Sequence, residues 1–214
     1  MIACMNRRNY QKELECFLEE WSEKGFVPRL LLHACCAPCS SYVLEYLAEH
    51  MQITVFFYNP NITRPEEYRK RVEEEKRLIR ELPVKYPVSF LEGPYEPAGF
   101  FEMVKGLEAE PEGGKRCEAC FRLRLEKTAE AAIINGFDYF TTSLTISPLK
   151  SAPLLNAIGE EAGNHFGVCF LPSDFKKKNG YKRSIELSRE YDLYRQDFCG
   201  CIFSEQERRA ARSQ

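Results

Sequence analysis

Seven of the ten cysteines in this 214-residue chain fall in three tight groups: Cys35, Cys36 and Cys39; Cys117 and Cys120; Cys199 and Cys201. Thiolates bind soft metals and exchange electrons, so grouped cysteines point to metal binding or redox work. A structural zinc site takes four ligands and a cubane iron–sulfur cluster up to four, so either one alone leaves thiolates over. Two metal centres absorb the count: a [4Fe–4S] cluster on three or four cysteines, and a neighbouring single metal on the rest with an open position. Adjacent residues in extended backbone point to opposite sides, so Cys35 and Cys36 are expected to serve two different metals. Two other chemistries use the same spacing. Cys36-x-x-Cys39 or Cys117-x-x-Cys120 would suit a thioredoxin-like dithiol in a thiol-disulfide oxidoreductase. Paired C-x-x-C elements also build structural zinc sites, here in a zinc-stabilised RNA-binding protein.

A sheet must position these groups. Leu30-Leu31-Leu32 is an apolar run that breaks at the cysteine pair, and Pro38 fits the first turn of the stretch after it. Arg29–Ala34 is therefore predicted as a strand, with the cysteines at its turn into a helix ending near His50. Such turns lie at the carboxyl ends of strands in open α/β sheets, where ligands bind and a helix N-terminus favours the thiolate. Further strands are predicted at Ile53–Tyr58, Val88–Leu91, Phe137–Leu144 and His165–Leu171. Helices are predicted at residues 6–24, at Glu66–Leu82 with Thr63 as its N-cap, from Arg116 to Asn135, at Ser151–Glu161 and at Tyr181–Tyr191. Residues 94–114, rich in glycine and proline, read as a surface excursion with a short helix over 100–107. The alternation argues an α/β fold with a doubly wound, mainly parallel sheet. It is read as one domain: an N-terminal helical extension over 1–28, a catalytic core over 29–204 and a cysteine-bearing C-terminal tail. Neither a Gly-x-Gly-x-x-Gly fingerprint nor a Walker loop is present.

Of the remaining cysteines, Cys16 and Cys169 read as small core hydrophobes and Cys4 as part of a frayed terminus. A formal charge of −2 excludes a globally basic nucleic-acid binder, so any RNA contact is a local patch. The densest basic segment is Lys176, Lys177, Lys178, Lys182 and Arg183; Arg116 beside the second cysteine group and Lys150 past the fourth strand are further candidates for phosphate. No apolar segment approaches a membrane span, and no apolar run follows Arg7 and Arg8, so a cytoplasmic protein without membrane contact is expected.

Several motifs together resemble one family. Leu32-His33-Ala34-Cys35-Cys36-Ala37-Pro38-Cys39, Cys117-x-x-Cys120-Phe121-x-Leu123-Arg124-Leu125, Thr141-Thr142-Ser143-Leu144 with Ser147-Pro148-x-Lys150, Asp174-Phe175-x-Lys177, and Tyr194-Arg195-Gln196-x-x-Cys199-Gly200-Cys201 are similar in order and combination to the QueH family of epoxyqueuosine reductases. The resemblance implies a PP-loop-like (HUP-like, Rossmann-like) fold and a [4Fe–4S] cluster beside a mononuclear iron. It also implies the last step of queuosine formation in tRNA, a two-electron deoxygenation of an epoxide. Under it, Cys35, Cys36, Cys117 and Cys120 are candidate cluster ligands, all seven grouped cysteines are candidate metal ligands, and the division between the two metals stays open. Candidate catalytic groups are Cys35, Cys36 and Cys39, with His33, Asp174, Tyr194 and Asp197 as possible proton donors. For His33 a core histidine bonded to backbone is the competing reading, and for the two aspartates a loop cap. The implied partners are tRNA carrying epoxyqueuosine and an external electron donor.

Overall fold

The computed structural model describes residues 8–212. Five parallel strands, β1 (Arg29–His33), β2 (Gln52–Phe57), β3 (Val88–Glu92), β4 (Tyr139–Thr142) and β5 (Cys169–Phe170), form one sheet in the order β3-β2-β1-β4-β5. The chain steps outward from β1 to β3, then returns to place β4 on the other side of β1. The carboxyl ends of β1 and β4 therefore form the topological switch point, the crevice in which such sheets bind ligands. This is the doubly wound α/β fold expected from the alternation of strands and helices.

β1 shows why the sheet is central. Leu30, Leu31 and Leu32 are all fully buried, because helices cover both faces. Leu30 and Leu32 pack with Leu14 and Trp21 of α1 (Tyr10–Lys24), Leu44 and Leu47 of α2 (Ala37–Leu47) and Leu78 of α3 (Pro65–Glu81). Leu31 joins the opposite core, with Ala129 and Ala132 of α5 (Lys115–Ile134) and Ala162 of α6 (Ala152–Phe166). Each such leucine contributes roughly 1.5–3 kcal/mol of burial. A short helix α4 (Pro97–Met103) lies in the excursion before α5; α7 (Gly180–Glu190) packs on α2, and the tail ends in α8 (Ile202–Arg212).

Several local expectations are corrected. His165 and Phe166 form the last turn of α6, and the fifth strand shrinks to Cys169–Phe170. Gly159 lets α6 run this far against the sheet, since a Cβ there would stand 2.3 Å from the Phe170 ring. β4 ends at Thr142, whose hydroxyl accepts from the Leu144 amide and starts a 3-10 turn over Ser143–Ile146. Thr63 does not cap α3: the N-cap is Arg64, Pro65 supplies the first helical φ, and the Thr63 amide donates to Gly200 O at 3.2 Å. Cys16 and Cys169 are exposed rather than packed. Cys16 lies on the face of α1 away from Leu14, Leu18 and Trp21, and Cys169 lies on the edge strand β5. Cys4 falls outside the described residues. Among the described residues no helix is long and apolar enough to cross a membrane.

Candidate metal centre

The first cysteine group sits where β1 meets α2. Ala34 makes the last bond to β2, its amide donating to Phe56 O at 3.1 Å, and Cys36 is the extended N-cap of α2 with no side-chain cap bond. The cysteine pair is thus in a turn beyond the sheet ladder, where strand alternation no longer governs side-chain direction. Contrary to the expectation of opposed thiols, the Sγ atoms of Cys35, Cys36 and Cys39 lie within 4.8 Å of one another, with Cys35 and Cys36 at 3.8 Å. Among the described residues it is the one group of three or more His, Cys, Asp or Glu side chains that converges as metal ligands do. Hydrogen bonds from Cys36 and Cys39 hold the Cys35 thiol well below its ordinary pKa, while sharing with Cys35 raises the other two. The three thiols therefore share their protons within a small volume, and a cation there would take the place of those protons.

The second and third groups come together from the first turn of α5 and from the tail. Cys117, Cys120, Cys199 and Cys201 line one small cavity with Asn61 and Arg124. Cys199 also lines the larger cavity beside the triad, and Cys39 and Cys117 pack against the same core of Cys35, Cys36, Phe121 and Leu125. The two cysteine sets are contiguous. Burial pushes the Cys120 thiol up to about 12 and Cys201 up to about 11, so as free thiols they are neutral.

Arg124 is fully buried, and its Nε bonds Cys120 O at 3.2 Å; among the described residues Nη1 and Nη2 have no partner, nor has either side-chain polar atom of Asn61. Burial opposes the charge of Arg124, but Cys120, Cys199, Cys35 and Cys117 outweigh it and its pKa is raised. A buried cation with orphaned donors amid four thiols is costly unless an anion answers it. The donor set fits a sulfide-containing anionic cluster, whose four cysteine sulfurs stand further apart than the ligands of one ion.

Charges on α3 hold the tail in place. Arg71, 1% exposed, donates to Cys199 O at 3.1 Å and to Glu67 at 2.7 Å. Gly200 adopts φ +115°, and a Cβ there would stand 2.9 Å from Ile62, so the residue between Cys199 and Cys201 has to be glycine. Sequence reasoning missed Glu67, Arg71 and Glu75. Their signal is charge at i, i+4 and i+8 on a helix face that also carries the buried Val72 and Leu78.

Other expected site residues fall elsewhere. His33 is fully buried between Thr142 Oγ1 (2.9 Å from Nδ1) and Tyr58 O (3.2 Å from Nε2). The Tyr58 carbonyl can only accept, so Nε2 carries the hydrogen and Nδ1 accepts from the Thr142 hydroxyl, which itself accepts from the Leu144 amide. Burial lowers the His33 pKa to about 3 and favours the neutral imidazole. Asp174 pairs with Lys176 at 3.0 Å and lines a separate pocket with Lys177. Tyr194 donates to Glu67 at 3.0 Å as a strut between tail and α3, also away from the cysteine cavity.

Most cations of the expected basic segment have a carboxylate nearby. Lys178 pairs with Glu15, Lys182 lies 4.0 Å from Glu186, and Arg183 bonds Glu45 and Glu190, each at 2.6 Å. Arg116 is 2% exposed and bonds Glu108 O, Glu110 O and Glu207. Lys177 is exposed, and Lys150 lines both the pocket of Lys176 and Lys177 and the cysteine cavity.

Glu75 gives a prediction. Its carboxyl is fully buried, with Oε1 bonded to Ser40 Oγ and Oε2 unpartnered, and burial pushes its pKa to about 8 from 4.5. The folded state thus holds a proton the unfolded state releases, so stability is full below pH 4.5 and declines as pH rises through 8, by a few kcal/mol in order of magnitude. His33 acts oppositely, costing stability as pH falls below 6.5. Urea titrations of reduced, metal-free Glu75→Gln at pH 5 and pH 8 should show the neutral-to-alkaline decline abolished. An undiminished decline would assign it to other groups.

A doubly wound sheet with convergent thiols at its switch point and a contiguous four-cysteine cavity defines a cysteine-centred α/β redox protein suited to metal. The model of the family "Epoxyqueuosine reductase QueH" matches residues 30–207. Proteins named epoxyqueuosine reductase QueH are similar over most of their length: from Staphylococcus epidermidis, 45% identical over 92% of this chain and 84% of the relative; from Streptococcus pyogenes serotype M1, 45% over 95% and 82%; from Thermotoga maritima, 37% over 84% and 92%. This chain belongs to the QueH family and is an epoxyqueuosine reductase, an oxidoreductase.

Proposed function

We propose that the protein reduces epoxyqueuosine to queuosine in tRNA, with a single iron held by Cys35, Cys36 and Cys39 and a [4Fe–4S] cluster held by Cys117, Cys120, Cys199 and Cys201. The reaction consumes two electrons and two protons: both C–O bonds of the epoxide break, a C=C bond forms and the oxygen leaves as water. When bound, the iron supplies a Lewis acid for the epoxide oxygen and the cluster a one-electron relay from an external donor. The convergence of three sulfurs, with Cys35 and Cys39 on the wall of a cavity, beside a four-cysteine cavity holding the orphaned Arg124, carries this reading.

The chain's own residues supply the rest. Bonds from Cys36 and Cys39 lower the pKa of Cys35, which eases the loss of its proton to an incoming cation. Lys150 lines the same cavity and has no carboxylate partner among the described residues; burial opposes its charge, but the nearby cysteines outweigh it and its pKa is raised. Its Nζ offers donors to the departing oxygen. Asp197, at the cavity wall, is the one expected proton-handling group that stands there. A dithiol mechanism would use the low Cys35 pKa but leaves the second cavity and Arg124 without a role.

Protein purified without oxygen should be brown, absorb broadly near about 400 nm, carry iron and acid-labile sulfide, and convert epoxyqueuosine-containing tRNA with a chemical reductant. Colourless, zinc-containing protein, or full conversion by metal-free protein, would overturn the proposal.

A further inference from the structure

Among the described residues, four buried side-chain nitrogens have no hydrogen-bond partner: Asn61 Nδ2, Arg116 Nε, and Arg124 Nη1 and Nη2. All four belong to residues that line one small cavity, that of Cys117, Cys120, Cys199 and Cys201. An unpaired buried donor is costly, so the gathering of these donors around one space marks it as the place of an acceptor reached from several sides. Two of the three side chains have other bonds. Arg116 holds Glu108 O and Glu207 through its Nη atoms, and Arg124 bonds Cys120 O through Nε. Asn61 differs: it is 1% exposed, and neither Nδ2 nor Oδ1 has a partner.

The backbone around Asn61 is held on both sides. Asn59 Nδ2 donates to Ala34 O at 2.8 Å beside the first cysteine group, the Tyr95 hydroxyl donates to Ile62 O at 3.0 Å, and the Thr63 amide donates to Gly200 O at 3.2 Å between Cys199 and Cys201. Pro60 restricts φ between the two asparagines. The loop after β2 is thus tied to the first and third cysteine groups, and it presents an unengaged amide at the wall of the four-cysteine cavity.

We infer, resting on the proposed function, that Asn61 is the uncharged hydrogen-bond donor to the cluster: its Nδ2–H donates to a cluster sulfur and raises the reduction potential. Sulfur bound to iron becomes more negative on reduction, so a donor facing it favours the reduced form. Such sulfur accepts and does not donate, which assigns Nδ2 to the cluster and leaves Oδ1 to the unpartnered Nη donors of Arg124 on the same wall. The amide adds no formal charge, whereas Arg124 also supplies a counter-charge. Asn61 is therefore a positioning residue for the electron and does not touch the epoxide.

The test reads stability and potential, not turnover. Asn61→Leu replaces the amide by an apolar group of similar shape. Metal-free Asn61→Leu should unfold at the same urea concentration as wild type or a higher one, because the amide has no partner there. Cluster-loaded Asn61→Leu should keep its iron and sulfide yet be about tenfold less reduced at a given poise, a midpoint about 59 mV more negative. Protein reconstituted in D2O should show Fe–S stretching bands shifted through the N–H···S bond in resonance Raman spectra, and the shift should shrink in the variant. If Asn61→Leu takes up no cluster, Asn61→Ala, which lacks the donor and adds no volume, takes its place with the same fall in midpoint expected. A metal-free Asn61→Leu clearly less stable than wild type makes the amide a structural group and overturns the inference, whether or not that variant takes up a cluster. A wild-type midpoint in the loaded variant overturns it as well and leaves the reductase reading intact. Wild-type protein that binds neither iron nor sulfide overturns both.

Discussion

Cys117→Ala and Cys120→Ala should each remove iron and acid-labile sulfide together and abolish conversion of epoxyqueuosine, whereas Cys35→Ser and Cys36→Ser should each retain sulfide and most of the iron while losing turnover. The division follows from geometry. Cys117 and Cys120 line the four-cysteine cavity around Arg124, and the triad converges separately at the N-terminus of α2. Changes behind a metal ligand cost about 10–100-fold in metal affinity or activity, so loss of a thiolate itself should exceed that range. Cys35 and Cys36 should also fail alike, because their sulfurs stand 3.8 Å apart in one convergent group. Iron and sulfide per chain, measured on oxygen-free preparations of all four variants, decide the matter. If Cys36→Ser loses the whole cluster and Cys35→Ser does not, the adjacent pair serves two centres after all, and the partition of ligands has to be redrawn.

Arg124→Leu should have opposite effects on the metal-free and the metal-loaded protein. Without metal, Arg124 is a buried charge whose Nη1 and Nη2 are unbonded, and replacing such a group by an apolar one of similar length is neutral or stabilising, here by about 1–3 kcal/mol. With an anionic cluster among Cys117, Cys120, Cys199 and Cys201, the same guanidinium gains its counter-charge and its acceptors. The leucine variant should then release iron faster and take electrons at a more negative potential, because the cation that favours the reduced form is gone. Urea unfolding of both forms, iron release to a chelator and redox titration test this together. A variant that is destabilised without metal yet retains iron at the wild-type rate would make Arg124 a packing residue through its contacts with Phe121 and Cys120 O.

What the sequence by itself determined is local and periodic. The Leu30–Leu32 run breaking at a cysteine pair, Pro38 behind it, and Lys115-Arg116-Cys117 opening a long helix specify a strand-to-helix turn and a helix start bearing thiols. The alternation of strands and helices specified a parallel sheet, and the grouping of cysteines specified metal or redox chemistry. Boundaries failed where a long-range contact set them. β5 is short because α6 presses on Phe170 at Gly159, and the amide of Thr63 is taken up by Gly200 O instead of opening a helix. Only the tertiary structure decided that Cys199 and Cys201 meet Cys117 and Cys120, since they approach from opposite ends of the core and Arg71 holds their loop. It also decided that Cys35 and Cys36 converge, because strand alternation lapses once Ala34 has made the last ladder bond. The same holds for charge. A lysine and an arginine look alike in sequence whether they line a cavity, as Lys150 does, or meet a carboxylate, as Arg183 and Arg116 do. Periodicity records how a residue meets its nearest neighbours along the chain, whereas the partner of a long charged side chain is set by which distant element folds against it.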